Sequence, residues 1–217
     1  MRPLRDSLRP LKSLTGTPPP FDIEAAPHEP LELFVQWFGH AVEAGQVEPH
    51  AMTLSTVDAD GMPDARVLIL KDVTDEGWWF ASSSASAKGI ELTANPVAAL
   101  TFYWPATGRS VRIRGRVDTA DAERNATDFL RRGIGARAVA LGSAQSEPLG
   151  SRAESEAAIA KAAHELDAHP ERVSPSWTLW CVRPDSVEFW QSDAERQHLR
   201  LRYAREGQSW SQTMLWP

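Results

Sequence analysis

The sequence predicts a mainly β fold, a barrel of antiparallel strands with helices at its margins. Two observations lead to this prediction. Beyond about residue 50, the chain contains at least six short apolar or alternating runs that are bounded by turn residues, a pattern typical of strands. Several of these runs follow one another directly, so the chain lacks the regular alternation of strand and helix that a parallel sheet requires. A barrel is the most economical architecture for so many antiparallel strands.

Composition and charge limit the classes of function. The 217 residues are 42% hydrophobic and 24% charged, as in an ordinary globular protein. The net charge of -6 argues against general nucleic-acid binding. A single cysteine, Cys181, excludes an internal disulfide framework and points to a reducing compartment. No stretch approaches the roughly 20 apolar residues of a membrane helix, so we expect a cytoplasmic protein with no membrane partner.

The first 27 residues are predicted to form an extended arm, and residues 28–217 a single domain. The arm is rich in proline and basic residues and includes three consecutive prolines at 18–20. This composition is typical of extended segments rather than of core elements. Beyond the arm, apolar residues recur at helical spacing over residues 30–42, which predicts an amphipathic helix at the start of the domain.

The remaining elements are predicted from the spacing of apolar residues and turn signals. A turn at residues 58–61 joins the first two strands into a hairpin, and the run 109–117 alternates between apolar and polar side chains. A Ser-x-x-Glu capping pattern begins the last helix at Ser151. The predicted strands are residues 51–57, 65–71, 78–82, 97–104, 109–117, 177–182, 186–191, 198–203 and 209–215. The further predicted helices are residues 87–94, 119–132 and 151–169.

Residues 82–88 form the first candidate binding site. Their sequence, Ser-Ser-Ser-Ala-Ser-Ala-Lys, places hydroxyls and free backbone N–H groups before a short helix whose first turn carries Lys88. Such a helix start can bind an anion. A solvent-exposed serine loop that only caps the helix is the simpler interpretation of these residues taken alone. Likewise, Arg66 and Lys71, at the two ends of an apolar run, taken alone are ordinary strand-end charges.

Basic side chains also recur at every second position near the C-terminus: Arg196, His198, Arg200 and Arg202. On one extended strand all four would lie on the same face of the sheet. That face is either a solvated surface or a site that recognises an anion or an electron-rich ring, for which arginine offers planar, multidentate donors.

Three other signatures are rejected. The run Gly133-x-Gly135-x-x-Ala138 resembles a dinucleotide fingerprint but follows a polar, helix-like segment instead of an apolar strand, so we expect a flexible loop there. The six histidines and Cys181 show no metal-ligand spacing, and no metal site is predicted. The chain also has no G-x-S-x-G nucleophile elbow.

Taken together, these residues resemble the pyridoxamine 5'-phosphate oxidases and their FMN-dependent relatives. The similarity covers nearly the whole chain after about residue 30. It implies an FMN-binding split β-barrel that works as a homodimer, with flavin sites at the subunit interface. The segments that carry it are Arg66-Val67-Leu68-Ile69-Leu70-Lys71, Ser86-Ala87-Lys88, Gln145-Ser146, Val187-Glu188-Phe189-Trp190-Gln191, Arg196-Gln197-His198-Leu199-Arg200 and the ending Trp210 to Pro217.

The resemblance also implies the residues of a flavin site. Arg66, Ser82 and Lys88 are expected to hold the FMN phosphate and ribityl end. The strand residues Val67, Leu68, Ile69, Leu70 and Lys71 are expected to line the isoalloxazine. Further cofactor contacts, partly from the second subunit, are expected from Ala81, Ser110, Gln145, Ser146, Trp190 and Arg200.

For the substrate, the resemblance implies that Arg196 and His198 are catalytic and hold a pyridine ring against the flavin. Lys71 and Arg132 would bind the substrate phosphate. In such enzymes the substrate gives a hydride to the flavin, and dioxygen reoxidises the flavin with release of hydrogen peroxide. The expected reaction is oxidation of pyridoxamine or pyridoxine 5'-phosphate to pyridoxal 5'-phosphate.

The sequence departs from the family pattern at four positions. An arginine of the family's phosphate turn is Ala87 here, and a flavin-contacting glutamine is Ser110. Counting back without gaps from Gln145, the family's substrate-phosphate Tyr, Arg and Ser fall on Asp128, Arg132 and Ala136. A carboxylate beside a phosphate is repulsive, so these departures weaken the expectation of a phosphorylated substrate more than that of FMN.

Two alternatives to the B6 reaction stay open. One is an FMN oxidase of another planar ring, as in the phenazine-biosynthesis relatives. A loose resemblance to these relatives lies in the arm residues Ser13-Leu14-Thr15-Gly16 and in the altered phosphate pocket. The other is a flavin-binding or carrier protein without turnover. Lys71 favours a B6 phosphate, because a substrate without phosphate would not need this cation.

Overall fold

The structure, a computed structural model, describes residues 4–217. Within this part of the chain there are six α-helices, nine strands and one 3-10 turn, Pro105–Thr107. The helices are α1 (Leu4–Leu8), α2 (Pro30–Glu43), α3 (Ala87–Ala94), α4 (Ala122–Leu130), α5 (Ile134–Gly142) and α6 (Arg152–Ala168). The strands are β1 (Ala51–Val57), β2 (Pro63–Ile69), β3 (Asp72–Thr74), β4 (Gly77–Ser83), β5 (Val97–Trp104), β6 (Arg109–Thr119), β7 (Trp177–Gln191), β8 (Leu199–Glu206) and β9 (Ser209–Met214).

The strands form a sheet whose hydrogen-bonded order is β2-β1-β5-β6-β7-β4-β3, with β8 paired to β7 and β9 to β8. The pairs β3–β4, β4–β7, β7–β8 and β8–β9 are antiparallel. The prediction of a mainly β, antiparallel sheet with accessory helices is thus confirmed. None of the helices described is long and apolar enough to cross a bilayer.

The chain divides into two compact units, which are described separately. The first contains the residues up to Met52 together with 101–113 and 186–217, and the second contains residues 53–100 and 114–185. In the first unit, α2 buries an aromatic face. Phe34 meets Phe102 edge-on with ring centroids 5.1 Å apart, and Trp37 meets Phe189 at the same distance. The predicted amphipathic helix is therefore confirmed, and these contacts explain its apolar spacing.

A buried cation also belongs to the core of the first unit. Arg109 is fully buried, its guanidinium lies 4.1 Å from the centroid of the Trp37 ring, and its Nε donates to Gln191 Oε1 at 2.8 Å. Burial lowers the pKa of Arg109 to about 10. The side chain also donates to the carbonyl of Pro19 at 3.2 Å, so the arm supplies one of the acceptors that make this buried charge tolerable.

The arm is partly different from the prediction. Residues Leu4–Leu8 form the short helix α1 instead of an extended segment, and residues 1–3 lie outside the described part of the chain. Further along, the Thr17 N–H donates to Ala106 O at 3.2 Å, and the hydroxyl of Tyr203 donates to Pro27 O at 2.7 Å. These contacts order the second half of the arm against its own chain.

In the second unit, the predicted loop at residues 133–138 is wrong. The segment forms helix α5, which packs on α6 through Ala138, Ala162 and Leu166. The glycines suggested a loop, but small residues here allow close helix packing. A Cβ added to Gly142 would lie 2.7 Å from the carbonyl oxygen of Ala158. The segment is therefore a packed helix, and it does not support the rejected interpretation as a dinucleotide-binding loop.

Strand β7 is one strand of 15 residues where two were predicted. The predicted strands end at residue 182 and begin again at residue 186, and Pro184 lies between them, a residue that cannot donate to a strand ladder. The neighbouring strand accommodates this point with Gly115, whose added Cβ would lie 1.8 Å from the carbonyl oxygen of Arg183. Without a side chain at Gly115 the backbones approach closely, and the strand continues.

Candidate active site

The hydroxyls and the lysine predicted to form an anion site do lie together at the start of α3. Ser86 caps the helix, since its Oγ accepts the N–H of Gly89 at 3.4 Å. The Lys88 ammonium donates to the same oxygen at 3.2 Å, and Ser82 Oγ lies 3.4 Å from it. We call Ser82, Ser86 and Lys88 the serine–lysine cluster. It combines hydroxyl groups, an ammonium and a helix N-terminus, three features that stabilise an anion.

Lys88 is the most informative member of this cluster. Only 6% of its surface is exposed, which is unusual for lysine. Burial lowers the pKa of Lys88, and the positive charge of Arg66 lowers it further. The carboxylates of Glu91 and Asp64 act in the opposite direction, but the net effect on the pKa of Lys88 is a lowering. A bound phosphate would offset both effects, so the residues fit a phosphate-bearing group.

Arg66 lies on β2 within a polar network. Its guanidinium donates to Thr56 Oγ1, to Asp64 and, at 3.2 Å, to Glu91 Oε2. Thr56 in turn donates to Glu91. These contacts fix the guanidinium with its side chain only 17% exposed, so Arg66 is more than an ordinary strand-end charge. The two carboxylates partly neutralise it, and Ala87 removes one cation that the family resemblance led us to expect nearby.

Ser146 joins the same region from a distant part of the sequence. Its Oγ accepts the backbone N–H of Ala87, in the first turn of α3, at 3.1 Å. Ser146 has φ = 78°, the left-handed conformation that non-glycine residues rarely adopt. Its neighbour Gln145 lines a cavity of about 240 Å³ together with Ser83 and Arg132. The structure thus brings the predicted Gln145-Ser146 motif to the serine–lysine cluster.

The predicted ring-lining strand has an exposed apolar edge. Val67 is 67% and Ile69 40% exposed, while Leu68 and Leu70 are half-buried. Lys71 follows the end of β2, and its N–H donates to Trp79 O at 2.8 Å. Apolar side chains left open in this way can be covered by a flat ligand or by another protein surface. Ala81, also predicted, is half-buried on β4 next to Ser82.

The two cations predicted for the substrate phosphate line different cavities. Lys71 lines a cavity of about 430 Å³, and Arg132 lines the cavity of about 240 Å³. Asp128 connects them: one carboxylate oxygen lies 2.9 Å from the Lys71 ammonium, and the other accepts the indole N–H of Trp177 at 2.9 Å. The Arg132 guanidinium stacks 4.0 Å from the centroid of the same indole. Ala136 contributes only its carbonyl oxygen, an acceptor for Arg132 at 3.3 Å.

In the first unit, the remaining predicted cofactor residues also lie together. Trp190 on β7 is directly opposite Arg200 on β8. Arg200 donates twice to Glu188, from Nε at 3.0 Å and from Nη2 at 2.7 Å. Ser110 lines a cavity of about 430 Å³ with these three residues. The cavity offers an indole face, a fixed guanidinium and a hydroxyl, which suit a flat polar ring.

The predicted cationic face of four residues is wrong for two of them. Arg200 and Arg202 lie on β8, but Arg196 and His198 precede it, and Arg196 has φ = 65°. A residue in this conformation interrupts an extended strand, so the two-residue period does not apply. His198 packs against Trp190 with ring centroids 4.9 Å apart, and its Nδ1 accepts the Asp193 N–H at 3.1 Å. The neutral ring therefore carries its proton on Nε2.

Two functional candidates were missed by sequence reasoning or understood only in part. Glu188 belongs to the segment of residues 187–191 that resembles the family, but the sequence predicted no role for it. On the strand it lies on the same face as Trp190. The sequence did contain a signal for it: a carboxylate stands two residues from an aromatic residue on an otherwise apolar strand, and this spacing places both on the same face of the sheet. Asp128 was recognised as a departure, but its pairing with Lys71 could not be derived, because residues so far apart in sequence meet only through tertiary packing.

Comparison with known proteins finds family models and relatives that match most of the chain. The family model described as Pyridoxamine 5'-phosphate oxidase matches residues 38–191, and the model described as Pyridoxine 5'-phosphate oxidase C-terminal dimerisation region matches residues 177–217. A relative named pyridoxine/pyridoxamine 5'-phosphate oxidase from Rhodopseudomonas palustris (strain BisA53) is 45% identical over 197 residues, covering 88% of this chain and 91% of the relative. A protein of the same name from Ectopseudomonas mendocina (strain ymp) is 42% identical over 194 residues, covering 88% and 90%.

Solved structures confirm the fold class. PhzG from Burkholderia lata 383, in complex with tetrahydrophenazine-1-carboxylic acid, superimposes with a TM-score of 0.86 at 30% identity, covering 93% of this chain and 100% of PhzG. A pyridoxamine 5'-phosphate oxidase-related, FMN-binding protein from Nostoc punctiforme PCC 73102 gives a TM-score of 0.70 at 20% identity, covering 87% and 98%. The predicted class, a mainly β split barrel with peripheral helices, is correct.

Proposed function

The chain belongs to the pyridoxamine 5'-phosphate oxidase family, and from this premise we propose that it is an FMN-dependent oxidase of a planar ring substrate that works as a homodimer. Dioxygen is the electron acceptor. The substrates first in line are pyridoxamine and pyridoxine 5'-phosphate, with pyridoxal 5'-phosphate as the product. The cytoplasmic location predicted from the sequence remains part of this proposal.

The buried Lys88 carries the proposal. Its ammonium, with the hydroxyls of Ser82 and Ser86 and the start of α3, would hold the FMN phosphate. Arg66 donates to Glu91, which lies three residues after Lys88 on α3, so one phosphate could be bound by both cations. The exposed apolar edge of Val67 and Ile69 would then support the flavin ring. Riboflavin, which lacks the phosphate, should bind far more weakly.

A homodimer completes the proposed site. The match to a family model described as a C-terminal dimerisation region supports the dimer. In the arrangement we propose, Ser110, Trp190 and Arg200 of one protomer contact the flavin whose phosphate is held by the other protomer. The cavity that these three residues share is the place where they would contact that flavin.

When bound, FMN supplies the hydride acceptor and the route of electrons to dioxygen. Arg196 and His198 would hold the substrate ring against it. His198 is prepared for this role because the Asp193 N–H fixes Nδ1, which leaves the Nε2 proton available to a ring oxygen or nitrogen. Trp190 packs against the imidazole and limits its rotation.

The observations that bear on the substrate point in two directions. The names of relatives that are 42% and 45% identical, and the presence of Lys71 and Arg132, support a B6 5'-phosphate. The pairing of Lys71 with Asp128 supports the second candidate, a planar ring without phosphate, as does the similarity to PhzG. A flavin carrier without turnover is the third possibility to be tested.

The test is anaerobic mixing of the FMN-loaded protein with each ring compound. Bleaching of the flavin by pyridoxamine 5'-phosphate, followed by recovery and hydrogen peroxide release on admission of air, supports the B6 reaction. Bleaching only by a reduced phenazine precursor supports the second candidate. Flavin that stays oxidised with every ring contradicts an oxidase and leaves the carrier. A chain that takes up no FMN contradicts all three.

A further inference from the structure

This inference rests on the FMN-dependent oxidase of the proposed function and favours the second of its substrate candidates over the B6 phosphates. We propose that Asp128 determines substrate specificity: its carboxylate is the counter-ion of Lys71, takes the place of a substrate phosphate, and makes the enzyme favour planar rings that lack one. Asp128 is the departure from the family pattern that forms an ion pair with a cation predicted to bind the substrate phosphate. The substrate class that follows is a heteroaromatic ring without a phosphate group.

The first support is the way the Asp128 side chain is held. Both carboxylate oxygens are engaged, one with the Lys71 ammonium and the other with the Trp177 indole N–H, each at 2.9 Å. The side chain is only 15% exposed. Because both of its oxygens are engaged and it is shielded from water, this carboxylate has a fixed position in the site. Solvent screens its charge less than it screens a charge on the surface.

The second support is Arg132, the other cation expected to bind the phosphate. Its guanidinium stacks on Trp177, the residue that Asp128 also contacts. Burial lowers the pKa of Arg132, and the charge of Asp128 acts in the opposite direction. Asp128 therefore already compensates both cations that a phosphate would need.

The cavity beside Lys71 gives the third support. Its lining contains four carboxylates and three cations, so its formal charge is negative before any ligand enters. A phosphate dianion would have to displace Asp128 from Lys71 and then remain beside the displaced carboxylate. Like charges this close oppose one another strongly. A neutral or cationic ring meets no such opposition. The charged lining residues are Lys71, Asp72, Asp121, Glu123, Arg124, Asp128 and Arg131.

The experiment compares a phosphorylated ring with the same ring lacking phosphate on the FMN-loaded homodimer. Dissociation constants for pyridoxamine 5'-phosphate and pyridoxamine are taken from the rapid shift of the oxidised flavin spectrum that follows anaerobic mixing and precedes any reduction of the flavin. We expect the wild-type protein to bind pyridoxamine at least as well as its phosphate. In Asp128→Asn, whose amide oxygen can still accept from Trp177, affinity for the phosphate should rise on the order of tenfold or more.

The matched control is Asp167→Asn, which removes the same charge from an exposed position on α6 and should leave the ratio of the two constants within about twofold. A wild-type preference for the phosphorylated ring of tenfold or more would overturn the proposal. So would an Asp128→Asn ratio equal to that of wild type. These results differ from a failure of the proposed function, which would appear as absent FMN uptake or as a flavin spectrum that no ring perturbs.

Discussion

The side-chain oxygen of Ser146 accepts the backbone N–H of Ala87 at 3.1 Å, although the two residues are 59 positions apart. This bond joins the segment after α5 to the first turn of α3. Ser146 makes it from a left-handed backbone conformation, φ = 78°. Strained conformations of this kind are retained where the surrounding structure needs them and often lie at functional sites. The bond therefore links the Gln145-Ser146 motif to the Ser86-Ala87-Lys88 motif, and both motifs belong to the proposed flavin site.

Removing the Ser146 hydroxyl should weaken FMN binding. Both Ser146→Ala and Ser146→Gly lose the bond to Ala87, and we expect each to bind FMN about three- to tenfold more weakly. Glycine adopts φ = 78° without steric cost, so Ser146→Gly should be more stable than Ser146→Ala by about 1 kcal/mol. FMN titration and thermal unfolding measure the two effects. Equal affinity in wild type and both variants would show that the bond does not shape the site.

Arg66 and Arg196 should separate cofactor binding from turnover. Arg66→Ala removes a cation and leaves Glu91 beside the bound phosphate, so FMN should bind about 10- to 100-fold more weakly. Arg196→Ala should retain FMN while turnover falls by about 100-fold or more. FMN titration and oxygen consumption distinguish the two variants. The reverse pattern would contradict the assignment of both residues.

FMN affinity should fall at alkaline pH as Lys88 loses its proton. Burial lowers the pKa of Lys88 in the free protein. Between that lowered pKa and the ordinary lysine value, the unfolded chain holds more protons than the folded apoprotein, so apoprotein stability should rise with pH. The ammonium that binds phosphate is lost over the same range, so affinity should fall. FMN titrations across this pH range provide the measurement. In Lys88→Gln the FMN affinity should be lower, and its fall over this pH range should be absent. A pH profile for Lys88→Gln that matches wild type would exclude Lys88 as the titrating group.

Glu188 should act as a positioning residue for Arg200. It accepts from Arg200 through Oε1 and from Arg112 through Oε2. In Glu188→Gln one oxygen acceptor and the negative charge are lost, so we expect FMN affinity to fall roughly three- to tenfold and to vary more with salt. Glu206→Gln, at the exposed end of β8, is the control and should match wild type. An unchanged salt dependence in Glu188→Gln would argue against the positioning role.

Local sequence signals predicted most of the fold. The limits of α3, β1 and β5 agree with the structure to the residue, because a capping serine or a clear turn bounds each one. Two of the failures have a common cause. Helix α5 and the continuous β7 both depend on close backbone approaches, at Gly142 and at Gly115, that glycine permits and that local patterns cannot show.

The parts of the site that consist of residues close together in sequence were predictable. The parts that depend on contacts between residues far apart in sequence were not. Ser86 and Lys88 are two residues apart, so their proximity follows from the sequence. The ion pair of Lys71 and Asp128 depends on how α4 packs beside the end of β2, which no local pattern encodes. This pair also changes the interpretation of Lys71: a cation that favoured a phosphorylated substrate in the sequence already has a carboxylate partner in the fold.

In the proposed function, the serine–lysine cluster and Arg66 hold the phosphate of FMN. Titration of the apoprotein with FMN and, separately, with riboflavin tests it most directly, because the two ligands differ only in that phosphate. We expect FMN to bind at least about 100-fold more tightly than riboflavin, and most of this advantage to disappear in Lys88→Gln. Equal affinity for the two flavins in the wild-type protein would contradict it.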